Sequence, residues 1–447
     1  MTNYFPIGDS KSLLEQIFSL HLYQAVFDDE VGAAFIDLLH RIDICDPALR
    51  VLPHRQSKTN KQTVEVNCLQ AYGRWFKILA ATGQSWQDRL TTQILLDENP
   101  FSQQVQKIAL ENLPSSLIAA VKYDLQILQN IYNCSTQKIC EWIQTGSQIP
   151  LDLIPWSQQS TTTFFDAWEN WTEALEDLAE YYRQHGTGIF ARYRALRWQQ
   201  GKLIGIAHPD PVQLSEIVGY ESQKEILLKN TEFLLTGYSA LHVLLYGSRG
   251  SGKSSLIKGL LNQYGDCGLR LIEVSKAELK DLPVIVEQLW DVPQKFIIFV
   301  DDLSFEEDDD AFKALKVVLE GSLTARANNV VVYATSNRRH LIREFFDDRP
   351  RPRDGDEVHA WDTVQEKLSF SDRFGLTLTF EPANQDTYLK IVNHLAQRTG
   401  INLAREDLEF RAKQWATRHN GRSGRTAKQF IDYLRAELAT SQSEPQS

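Results

Sequence analysis

The 447-residue chain is too long for one ordinary hydrophobic core, so two or three domains are expected. Its net charge of −11 excludes a general polyanion binder, and any nucleic-acid contact needs a local basic surface. Five scattered cysteines exclude a disulfide scaffold, no apolar run approaches the roughly 20 residues of a membrane span, and no basic-then-apolar leader opens the chain, so a cytoplasmic protein without a membrane partner is expected.

Apolar residues at mixed spacings of three and four predict amphipathic helices over 13–27, 33–44, 69–82 and 117–132. Breaks with Pro or Asn separate them at 53–60, 97–100 and 112–114. Residues 1–150 therefore read as a helical N-terminal domain. Cys134 and Cys140 lie close together, but no second pair or nearby His completes a zinc pattern.

Residues 151–205 read as a helical linker. Pro150 and Pro155 lead into a Ser/Gln/Thr-rich stretch, and FFDAWENWTEALEDLAEYYRQ follows as one long helix. Its stripe of Phe164, Trp168, Trp171, Leu175 and Leu178 has the spacing of a core-packing face. Gly186 and Gly188 mark a turn before the basic aromatic segment ARYRALRW. That segment either packs on its neighbour or touches nucleic acid by Arg and aromatic stacking.

From residue 206 the texture changes. ALHVLLYG, LRLIEVS, KFIIFVDD, NVVVYATS and LTLTF are short Val-, Ile-, Leu- and Phe-rich runs alternating with helical segments. That pattern predicts a buried parallel sheet between helices over 206–381. Helices over 386–397, 405–418 and 425–438 then form a small all-helical domain, 382–438, and 439–447 reads as a disordered tail.

LHVLLYGSRGSGKSSLIKGLL is strand, Gly-rich loop, helix, and it fits G-x-x-x-x-G-K-[ST] at Gly247, Gly252, Lys253 and Ser254. Glycines let the backbone N–H groups of Gly247, Ser248, Arg249, Gly250, Ser251, Gly252 and Ser255 curl round phosphates with no Cβ in the way. The helix N-terminus adds positive potential, Lys253 a point charge on the β- and γ-phosphates, and Ser254 a hydroxyl for Mg²⁺. ATP with Mg²⁺ is the expected ligand. KFIIFVDDLSF ends an apolar strand on Asp301 and Asp302, and an Asp there holds magnesium in P-loop folds. The metal ligands expected are Ser254 and Asp301.

Together, residues 206–438 resemble the AAA+ superfamily. YGSRGSGKSSLIKGLL, FVDDLSFEEDD, YATSNRRHLI and RFGLTLTF more closely resemble a bacterial predicted ATP-binding family of unknown function, with the likeness reaching upstream to about residue 160. The resemblance implies further roles. Asp302 stands where most AAA+ proteins carry the Glu that positions the attacking water. Replication initiators and transposon helper ATPases resemble this chain in carrying Asp-Asp. Glu306 or Glu307 could supply a base, although the run EEDDD also suits a solvated loop. Asn337 fits the first sensor, at the end of a strand lying between the phosphate loop and the acidic strand. Arg373 fits the finger that reaches a neighbouring subunit, and Arg425, with Arg422 as the alternative, fits the second sensor of the lid. Val218, Gly219 and Tyr220 fit the segment beside the adenine.

The implied activity is ATP hydrolysis in a homo-oligomer that remodels or loads a protein or nucleic-acid client. A slow nucleotide-dependent switch or DNA-associated loader is the second reading. It draws on Asp302 and on Arg343, Arg349, Arg351 and Arg353, which Asp347, Asp348, Asp354 and Asp356 largely neutralise. A scaffold stabilised by nucleotide, without turnover, is the third.

Overall fold

The computed structural model describes residues 8–45, 61–147, 152–158, 163–305, 310–320, 327–337, 370–419 and 421–443. Glu306, Glu307 and the arginine-containing stretch 343–353 lie outside them. The chain divides into two compact units, Met1–Ala191 and Arg192–Ser447.

The first unit is helical: α1 (Gly8–Phe18), α2 (Glu30–Cys45), α3 (Lys61–Thr82), α4 (Trp86–Leu96), α5 (Pro100–Gln104), α6 (Ser115–Tyr132), α7 (Thr136–Ser147), α8 (Leu175–His185) and the short α9 (Gly188–Arg192) at its end. Its core is dense in aromatics, with Phe35, Trp75 and Trp86 fully or almost fully buried and in ring contact.

Two predicted helices break. The 13–27 stretch turns after Phe18, because His21, Leu22 and Tyr23 donate their backbone N–H groups to the buried Asp124 carboxylate on α6, Leu22 at 2.7 Å. A partner this strong outcompetes the helical ladder for those amides. The 164–184 helix resolves into two 3₁₀ turns, Phe164–Ala167 and Trp171–Ala174, before α8. Thr163 and Asp166 form a capping box and Asn170 caps the next turn, so local side-chain bonds stop the helix. Phe165 then stacks on Trp171 with ring centroids 4.1 Å apart.

Residues 151–205 are consequently no helical linker. Their described part up to residue 191 packs into the first core through Phe165, Trp171, Leu178 and Tyr182, and their end is sheet. Strands β1 (Ala195–Gln199) and β2 (Lys202–Gly205) form a hairpin across Gln200 and Gly201, both at positive φ, 51° and 77°. Two consecutive positive φ values give the tight turn whose twist suits an antiparallel pair. Leu196 and Trp198 face inward while Arg197 and Gln199 face out. Two of the three arginines of ARYRALRW are neutralised locally, Arg194 by Asp266 and Arg197 by Glu273.

The remaining strands are β3 (Val243–Gly247), β4 (Leu269–Glu273), β5 (Lys295–Val300), β6 (Val330–Ser336) and β7 (Leu376–Phe380). The sheet order is β2-β1-β4-β5-β6-β3-β7, parallel throughout except for β2. The strands are apolar because both faces are covered. Leu227 and Leu234 of α10 (Glu221–Leu235) and Leu256, Ile257 and Leu260 of α11 (Lys253–Tyr264) pack against Val243, Leu245, Ile297 and Tyr333. Helices α12 (Leu282–Leu289) and α13 (Asp310–Glu320) complete the α/β layer.

Three helices close the chain as a lid: α14 (Gln385–Arg398), α15 (Arg405–Arg418) and α16 (Gly424–Ser443). They share their own core around Tyr388, Val392, Ala412 and Phe430. The last helix runs to Ser443, so the expected tail at 439–447 is helical over its described half. Among the described residues no helix is long and apolar enough to cross a membrane.

Candidate functional site: a phosphate-loop cleft

Strand β3 delivers the chain to Gly247, whose φ of 134° belongs to glycine. A Cβ there would lie 2.0 Å from the Phe380 carbonyl oxygen. Gly250 and Gly252 also sit at positive φ, 73° and 92°, and α11 starts at Lys253. The loop therefore folds back between β3 and α11, while the backbone N–H of Ser248 donates to the Phe380 carbonyl at 2.9 Å and so is already engaged by β7.

Lys253 is buried, and its Nζ donates to the carbonyls of Gly247 at 3.0 Å and Ser248 at 2.8 Å. Burial lowers its pKa, while Asp301 and Asp302 pull it back up. A cation held only by neutral carbonyls is ready for an anionic partner.

Strand β6 lies between β3 and β5, which brings the acidic strand end opposite the loop. Ser254 Oγ donates to Asp301 Oδ1 at 2.7 Å. Asn337 Nδ2 donates to Asp302 Oδ1 at 2.6 Å. Asp302 has a φ of 51°, an unusual conformation that a short polar side chain tolerates. Ser254 and Asp301 suit magnesium, a hard cation that takes one or two protein oxygens and completes its shell with water and phosphate. Among the described residues no cluster of three or more His, Cys, Asp or Glu offers a dedicated metal cage.

These groups line a cleft of about 570 Å³ between the sheet's carboxyl edge and the lid. Arg249, Ser251, Ser255 and Arg425 border it too. The Arg425 backbone N–H donates to the Gly250 carbonyl at 3.2 Å, which ties the lid's last helix to the loop.

Of the segment expected beside the base, Val218 reaches the cleft. Gly219 and Tyr220 do not line it: Tyr220 is buried against Phe380 and donates its hydroxyl to the Glu381 carbonyl at 2.8 Å. Burying the ring in the sheet's core leaves it no face for a ligand. Ile217 and, from α14, Ile391 and Leu395 supply the apolar wall instead. Arg373 lies outside its own chain's cleft, paired with Glu320 at the end of α13. Arg422 faces away as well, donating to Gln385.

Two residues went unread in the sequence. Thr335 Oγ1 donates to Asp301 Oδ1 and accepts from the Asp302 backbone N–H at 3.0 Å, so one buried hydroxyl holds the Asp301 carboxylate and the Asp302 backbone. Lys428 lines the cleft one helical turn beyond Arg425. Only its i, i+3 spacing from Arg425 signalled this.

Residues 191–438 match the family described as "Protein of unknown function (DUF815)". A search of curated proteins finds no match. Among solved structures, the chain is similar to the Thermotoga maritima RuvB Holliday junction branch migration motor at 15% identity, covering 50% of this chain and 72% of that one, with a TM-score of 0.32. It is similar to the FIGL-1 AAA domain in complex with ADP at 17% identity, over 49% of this chain and 72% of that one, with a TM-score of 0.34.

Proposed function

Because this chain belongs to the DUF815 family and has the AAA+ P-loop fold, we propose that it binds Mg-ATP in the phosphate-loop cleft and hydrolyses it within a homo-oligomer. The observation that carries this is the convergence of Lys253, Ser254 and Asp301 around a loop with three glycines at positive φ.

In this reading Lys253 transfers its Nζ from loop carbonyls to phosphate oxygens, gaining a charged partner for neutral ones. Ser254 and Asp301 would hold magnesium, which would neutralise phosphate charge when bound. Asp302 orients the attacking water and accepts its proton, with Asn337 fixing one carboxylate oxygen. Arg249, Arg425 and Lys428 add positive charge from loop and lid, and Val218, Ile217, Ile391 and Leu395 receive the base.

Arg373 serves the cleft of a neighbouring copy once it leaves Glu320. Turnover then depends on assembly, and the work is remodelling or loading of a protein or nucleic-acid client. The shorter reach of Asp302, already engaged by Asn337, favours a slow switch as the second reading.

Lys253→Ala is expected to weaken Mg-ATP at least about 100-fold in an equilibrium titration, the scale of losing a buried charged contact. Unchanged affinity would remove the site assignment. Arg373→Ala is expected to keep binding and lose turnover by about 10³-fold or more. Unaltered turnover per chain would remove the finger.

A further inference from the structure

A second cleft, of about 750 Å³, opens between the phosphate loop and the lid. Arg249 and Arg425 border both clefts, whereas Arg422 belongs to this one alone. No described carboxylate lines it. Among the described residues none of the three arginines makes an ion pair, and Arg422 has only the neutral Gln385 amide oxygen, at 3.1 Å.

Three other lid arginines are neutralised, Arg398 by Glu216, Arg405 by Glu409 and Arg411 by Glu437, whereas Arg418 and Arg435 make no ion pair among the described residues. In a chain of net charge −11, three guanidinium groups that line one cleft with no described carboxylate repel one another. An anion removes that cost, and the guanidinium fork suits phosphate oxygens.

An aromatic ring stands three residues before Arg422 in the chain. His419, between the lining residues Thr417 and Gly421, is exposed and stacks on Trp415 with centroids 4.0 Å apart. Its ring is held by a 3.0 Å contact to the Trp415 carbonyl. A cationic cleft and an exposed stacked ring on the same short stretch of chain can take a phosphodiester backbone on the first and an unpaired base on the second.

We propose that the Arg249–Arg422–Arg425 cleft, with His419, binds single-stranded nucleic acid. The proposed site shares Arg249 and Arg425 with the Mg-ATP cleft, and Arg422 and His419, which do not line that cleft, distinguish the two.

The test is fluorescence anisotropy of a labelled 20-nucleotide single-stranded DNA on the full chain across a salt series, starting near 50 mM. Binding should weaken with salt. Arg422→Ala should cost about fivefold or more and flatten the log–log slope by about 0.7, one phosphate contact. Arg422→Lys should fall between, keeping the charge without the fork. His419→Ala should cost about fivefold or more through lost stacking. No oligonucleotide binding, or binding unmoved by both alanine variants, overturns the proposal. So does a polyglutamate peptide that competes as strongly as the oligonucleotide, which would make the cleft a site for acidic protein. Mg-ATP titration of Arg422→Ala separates the two clefts. Unchanged affinity supports the assignment, and a parallel loss of both ligands overturns it by returning Arg422 to the nucleotide site.

Discussion

The helical unit and the phosphate-loop cleft both concentrate polar groups, and they do opposite things with them. In the helical unit, Asp124 is fully buried and spends its oxygens on three consecutive backbone amides. Tyr23 and Tyr182 pair hydroxyls at 3.2 Å, and Asn99 donates to Asp97 at 2.6 Å. Every partner is fixed by the fold. In the cleft, Lys253, Ser254 and Asn337 bond to groups at an open surface, and a ligand can replace those partners without unfolding anything. Buried polar pairs closed on themselves specify structure. The same pairs at the carboxyl edge of a parallel sheet, facing a cleft, specify chemistry.

The largest expected effect breaks the first side of that comparison. Asp124→Ala leaves the amides of His21, Leu22 and Tyr23 without their acceptor, and should destabilise the helical unit by about 3–5 kcal/mol. Denaturant unfolding should show it, with Mg-ATP affinity unmoved. A loss below about 1 kcal/mol would mean that water or another acceptor serves those amides.

A smaller effect comes from Asp97, whose pKa burial raises from 3.8 to about 6. The folded value lies above the unfolded one, so the folded unit holds the proton more tightly. The stabilisation is complete below pH 3.8 and is lost as pH rises through about 6, a change of about 2–3 kcal/mol. Asp97→Asn should flatten that profile in thermal unfolding between pH 4 and 7, and a profile identical to the parent would refute the assignment.

The smallest effect sharpens the second side. Thr335→Val keeps the shape and removes the hydroxyl that sets both Asp301 and Asp302. Turnover should fall about tenfold, the worth of about one hydrogen bond. The magnesium concentration needed for half-maximal nucleotide binding should rise, and Thr335→Ser should restore both. An unchanged magnesium requirement would leave Thr335 with a packing role alone.

The phosphate loop was legible because it is local. Gly247, Gly252, Lys253 and Ser254 stand at fixed spacing between a strand and a helix, and glycine alone accepts the backbone angles there. The hairpin at 195–205 was less legible. Its inward Leu196 and Trp198 alternate with Arg197 and Gln199, but the run is short and the arginines drew attention to charge. Its partner β4 lies some 70 residues away, and only pairing with Leu271–Glu273 shows that this is sheet.

By itself, the sequence determined where a glycine-rich loop joins a strand to a helix, which strand ends carry acid and amide, and that helices precede and follow the sheet. These are matters of residue type and short spacing. Tertiary structure alone decided that β6 separates β3 from β5, that Thr335 bridges two aspartates, that Tyr220 is buried away from the cleft, and that three arginines line one cleft with no described carboxylate. Those outcomes depend on which distant segments pack together, and contacts across such separations leave no periodic mark in one chain.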